Sequence, residues 1–162
     1  MKTISKSSIY VFVGAIILAL ALPAASQQQV PFKGTIAGND SDNFLSDTTV
    51  LVTSTGTGVS TQLGRFSFTL ETTVDLVVGT ETGTAEFTAA NGDVIHTTYV
   101  GFGAFTNDPD VVGILETFTI SGGTGRFAGA QGTFTMQRTG NVVTFRTVGL
   151  FEGTITSTGA DH

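Results

Sequence analysis

The chain has 162 residues, seven basic against 13 acidic, a formal net charge of −6, and neither cysteine nor tryptophan. Without cysteine there is no disulfide, thiolate metal site or cysteine nucleophile, and two histidines are too few for a histidine-rich metal centre. The acidic balance argues against nucleic acid and anionic membrane surfaces as partners, because their phosphates repel it.

Lys2 and Lys6 precede an apolar run from Ile9 to Leu22, and Pro23-Ala24-Ala25-Ser26 follows. Positive charge, a short apolar core and small residues form the pattern of a secretory signal peptide. A membrane anchor would want about 20 apolar residues, and this run is shorter. The expectation is a secreted or periplasmic protein, cleaved after Ser26, with no membrane insertion afterwards. Residues 27–162 then form one domain. Loss of Lys2 and Lys6 leaves five basic residues against 13 acidic ones, a net charge of −8.

Beyond residue 26 threonine and glycine interrupt every helical window, and both disfavour helix interiors. Threonine, valine and phenylalanine at period two indicate strands. Eight are expected, over 30–37, 48–56, 62–76, 82–90, 93–103, 111–120, 132–139 and 142–156. Asn91-Gly92-Asp93 and Thr139-Gly140-Asn141 supply tight hairpin turns, and Asn107-Asp108-Pro109-Asp110 a wider one. Asp40-Ser41-Asp42-Asn43 lacks the glycine and terminal glutamate of a calcium loop and reads as a solvated hairpin loop. Eight short strands without crossover helices favour an all-β, antiparallel, closed barrel, since closure removes exposed edges. A sandwich is the alternative.

Between Gly122 and Gly132 five glycines fall in eleven residues, around Arg126 and Phe127. A phosphate loop would open a helix, whereas this segment leads into strand-like Gly132-Thr133-Phe134-Thr135-Met136. The alternative is a structural corner, with Phe127 dropped into the barrel end and Arg126 outside or paired with a carboxylate.

The motif G-G-T-G-R-F-x-G-A-x-G, running into a strand, resembles the signature of the dirigent proteins and allene oxide cyclases. Gly149-Leu150-Phe151-Glu152-Gly153-Thr154-Ile155 is similar to their last strand. Val30-Pro31-Phe32-Lys33-Gly34-Thr35 and Gly64-Arg65-Phe66 resemble small exported bacterial relatives of that barrel. The resemblance implies an eight-stranded calycin-like barrel with a hydrophobic cavity, no cofactor and trimeric assembly. Gln131 stands where dirigent proteins commonly carry arginine. A motif made mostly of glycines transfers backbone and not chemistry.

Residues of equal parity share a strand face. In the third strand Phe66, Phe68, Leu70, Val74 and Leu76 oppose Arg65, Ser67, Thr69, Glu71, Thr73 and Asp75; in the fourth Ala85, Phe87 and Ala89 oppose Thr84, Glu86 and Thr88. Two strands break this pattern. Glu116 shares parity with Ile114, Phe118 and Ile120, and Arg138 with Phe134 and Met136. Buried charges must pair or reach water. Glu116 and Arg138 therefore form either an ion pair plugging one barrel end or a polar patch at the base of a ligand cavity. In the second case Arg138 would bind a ligand carboxylate, or Glu116 would act as an acid or base. His96 and Tyr99 read as structural residues.

The last strand is apolar on both faces, with Val143, Phe145, Phe151 and Ile155 on one and Val148 and Leu150 on the other. That pattern calls for a second copy of the chain or the N-terminal tail on the outer wall.

The candidate ligand-binding residues are Glu116, Arg138, Phe66, Phe68, Phe118 and Phe134. No catalytic residue, metal or cofactor is assigned. The leading expectation is a barrel that binds a small hydrophobic or amphipathic molecule. A cofactor-free isomerase or cyclase acting by templating, and a structural envelope or matrix protein with a filled barrel, remain open beside it.

Overall fold

A computed structural model describes residues 28–156. The expected signal peptide and its cleavage point lie outside the described residues. Eight strands follow in chain order: β1 (Gln29–Ser46), β2 (Thr49–Ser60), β3 (Gly64–Asp75), β4 (Thr80–Ala89), β5 (Val94–Phe105), β6 (Val111–Gly123), β7 (Gly132–Asn141) and β8 (Arg146–Thr156). Each pairs antiparallel with the next, and β1 pairs with β8, so the sheet closes as a barrel without free edges. The expected closed eight-stranded antiparallel barrel is the fold.

Several local expectations are corrected. Asp40-Ser41-Asp42-Asn43 is not a hairpin loop but the far half of β1, with Asp40 opposite Ser54 and Asn43 opposite Leu51. Asparagine and aspartate form strands poorly on their own. Here β1 is held by β8 as far as Asn39 and by β2 as far as Ser46, and sheet context overrides propensity. Likewise β7 does not turn at Gly140 but continues to Asn141, with Gly140 still paired to Val112 and Thr147. Asn141 opens the turn that follows, its Oδ1 accepting the N–H groups of Val143 (3.0 Å) and Thr144 (2.7 Å). Such an Asx turn moves Val143 and Phe145 out of β8 into an exposed connection. Leu76 is also exposed, one residue past the end of β3.

The interior divides along the barrel axis. Toward the end that holds Gln29 and Thr156 it is packed with rings. Phe118 and Phe134 stack at 4.5 Å, Tyr99 stacks on Phe118 at 4.4 Å, and Phe32 meets Phe134 edge-on at 5.2 Å. Phe32 and Phe134 both face Gly153 across the ladder. A Cβ there would lie 2.6 Å from the Phe134 side chain, so glycine on β8 lets two aromatic residues meet above it. The same end is stopped by the glycine-rich corner. A single 3₁₀ turn, Gly125–Phe127, buries the Phe127 ring and leaves Arg126 half exposed with Nε 3.7 Å from Asp93 Oδ2. No helix opens there, so the corner reading holds.

Candidate functional site

Toward the other end the inward positions change character. On β5 they pass from Ile95, Thr97 and Tyr99 to Gly101 and Gly103. On β6 they pass from Phe118 to Glu116, Ile114 and Val112, and on β7 from Phe134 and Met136 to Arg138 and Gly140. Loss of side-chain volume opens the barrel. A pocket of about 420 Å³ occupies this mouth, above the roughly 300 Å³ at which small-molecule sites begin.

Its floor is ionic. Glu116 is fully buried and Arg138 is 4% exposed. They form a forked pair, Arg138 Nη2 to Glu116 Oε1 at 2.8 Å and Nε to Oε2 at 3.3 Å. Arg138 Nη1 donates to the hydroxyls of Ser54 and Thr147, each at 3.3 Å. Four of the five guanidinium donors are therefore taken by the protein. Burial opposes the arginine's charge, but Glu116, Asp40 and Glu81 together hold its pKa above the ordinary value.

Two further carboxylates converge on this pair. Asp40 Oδ1 lies 3.6 Å from Arg138 Nη1, too far for a hydrogen bond. Glu81 is 5% exposed and its carboxyl lies beside that of Glu116. Glu81, Gly101 and Glu116 form one row across three strands. A Cβ on Gly101 would come within 2.4 Å of Glu81 and 3.0 Å of Glu116, so this glycine makes room for the acid pair. Burial first, then the Glu116 charge, pushes the Glu81 carboxyl up to about 8, with Arg138 opposing. Asp40 Oδ1 and Glu81 Oε1 are both buried and lack a hydrogen-bond partner.

The walls and rim are apolar. Val50, Val52, Val74 and Ile114 line the interior. Every turn at this end exposes large apolar side chains: Phe44 and Leu45 before the first, Leu76, Val77 and Val78 in the second, Phe105 before the third, and Val142, Val143 and Phe145 in the fourth. Asp42 and Asp75 also line it. Partial burial, then Asp40, raises the Asp42 pKa.

Of the residues singled out from sequence, Glu116 and Arg138 come together, and Arg138 lines the pocket. Phe66, Phe68, Phe118 and Phe134 lie instead in the packed aromatic half, all buried and away from the pocket wall. Tyr99 is buried with its hydroxyl bonded to Thr72, and burial raises its pKa despite that bond. His96 stands outside, Nδ1 at 3.1 Å from its cross-strand neighbour Glu86. Asp40 and Glu81 are the additions. Glu81 has the inward parity of Ala85 and Phe87, and only a fourth strand begun at residue 82 hid it.

Among the described residues no three Asp, Glu or His side chains are placed to hold a metal ion, and no helix is long and apolar enough to cross a membrane. No protein-family model, curated protein or solved structure matches the chain.

Proposed function

We propose that this is an exported barrel protein that binds a small hydrophobic or amphipathic molecule, and that the mouth pocket is where it does so. The observation that carries this reading is the pocket itself: about 420 Å³ of apolar-walled space over a polar floor, in a fold whose interior side chains ordinarily fill it. The likeness to dirigent proteins and allene oxide cyclases belongs to the same reading, supported by the Gly122–Gly132 motif and the barrel topology. The exposed Leu115, Val148 and Leu150 on the outer wall support self-association, trimeric by that likeness.

The test is titration with a neutral solvatochromic dye such as Nile red. Binding and a blue shift are expected, and Gly103→Leu should abolish both. A Cβ at Gly103 meets Val112 and Ile114 side-chain atoms at 3.3 and 3.6 Å and the Gly113 carbonyl oxygen at 3.9 Å, an ordinary contact, so the variant fills the mouth without a backbone clash. A wild type that leaves the dye unshifted favours a filled structural barrel instead.

A second reading, a cofactor-free isomerase or cyclase, is favoured by one observation: two buried carboxyls, Glu81 and Glu116, stand side by side at the pocket floor. Burial there pushes Glu81 up to about 8, the direction a general acid needs. Glu116→Gln and Arg138→Met separate the readings. An enzyme loses turnover while folded, whereas a structural pair loses thermal stability.

A further inference from the structure

A binding pocket with an arginine floor suggests a fatty-acid carboxylate as ligand, but the geometry argues otherwise. The guanidinium is held by Glu116, Ser54 and Thr147 and is outnumbered by acids. Asp40, Asp42, Asp75 and Glu81 line the pocket, and Arg138 is the one base among the lining residues. The unmet hydrogen-bonding capacity points the other way as well. The two buried side-chain atoms without a hydrogen-bond partner are both carboxyl oxygens: Asp40 Oδ1, which has only Arg138 Nη1 at 3.6 Å, and Glu81 Oε1, which becomes a full acceptor once its carboxyl ionises. A buried acceptor left unpaired costs about 1–3 kcal/mol, and a ligand that brings donors removes that cost.

Resting on the reading of the mouth as a ligand site, we propose that it selects an amphipathic cation, an ammonium group on an apolar body. Its N–H groups are received by Asp40 and Glu81, and its hydrocarbon lies against Val52, Val74 and Ile114. A carboxylate ligand would bring a further negative charge and no donor. A neutral alcohol brings one donor and no charge, so it stands between. When the ammonium arrives, the proton on Glu81 leaves to solvent and the carboxylate formed pairs with the cation. The charged groups that face Glu81 are Asp40 on β1, Glu116 on β6 and Arg138 on β7, with the Tyr99 hydroxyl on β5. Arg138 is already engaged by Glu116.

Isothermal titration calorimetry with octylamine, 1-octanol and octanoate at neutral pH tests this, because the three share a chain and differ in head group. Octylamine is expected to bind about tenfold more tightly than octanol, the worth of one charge-assisted hydrogen bond, and octanoate most weakly. Repeating the amine titration in buffers of different ionisation enthalpy should reveal proton release. Glu81→Gln, close to isosteric with the protonated acid, and Asp40→Asn should each erase the amine's advantage, so that octylamine and octanol bind alike. Equal binding of all three, or preference for octanoate, overturns the proposal while keeping the pocket. Binding of none overturns the proposal and the pocket together.

Discussion

The two ends of this barrel use one backbone device for opposite purposes. At the closed end Gly153 stands between Phe32 and Phe134, and two rings meet over it. At the open end Gly101 stands between Glu81 and Glu116, and two carboxyls meet over it. The first arrangement removes apolar area from water and leaves nothing unsatisfied. The second gathers like charges in a low-dielectric place, where they are tolerable only with Arg138 among them and a proton on one acid. One end therefore stabilises the fold, and the other holds unsatisfied acceptors and empty volume in reserve.

Arg138→Met should produce the largest effect. It leaves Glu116 buried without its counter-ion, beside two more carboxylates, for a loss of about 3–5 kcal/mol. Urea denaturation reads this directly. A loss under about 1 kcal/mol would mean that water already solvates the floor. Phe134→Ala removes the ring in contact with Phe32, Phe87, Phe118 and Phe151 and should cost about as much, up to 5 kcal/mol, but without altering ligand binding at the mouth. Gly101→Ala comes next, at about 1–3 kcal/mol of overpacking. Because the methyl drives Glu81 and Glu116 apart, it should also weaken binding.

The pH dependence is smaller and carries a definite sign. In the folded protein Glu81 holds its proton up to about 8, against 4.5 for an ordinary glutamate. Between these values the native state binds more protons than the unfolded state, so stability falls as pH rises. The contribution is complete below 4.5 and lost above 8, at no more than about 1.4 kcal/mol per pH unit. Subtracting the profile of Glu81→Gln isolates it, and identical slopes in both proteins would place the titrating group elsewhere. Smallest of all, His96→Ala should change stability by less than about 1 kcal/mol, because its pairing with Glu86 is solvent-exposed.

Period-two parity was enough to make the closed barrel legible and to turn Glu116 and Arg138 inward beside Phe118 and Phe134. It could not separate the two ends. Phe118 and Glu116 share a face, but one belongs to a packed stack and the other to a pocket floor, and strand register decides which. Asp40 was hidden because Gly38-Asn39-Asp40 carries turn chemistry, and only pairing on both flanks keeps β1 extended through it. The pocket had a signal of its own. Gly101, Gly103 and Gly140 fall on inward parity beyond the aromatic belt, where missing side chains mean missing filling.

A crystal structure of the protein soaked with 8-bromo-1-octanol tests the division of the barrel most directly, since bromine is located by its anomalous signal. The bromine should lie in the mouth, near Val52, Val74 and Ile114 and on the rim side of Arg138. Bromine among the rings of Phe118 and Phe134, or none inside the barrel, would contradict a structure filled at one end and open at the other.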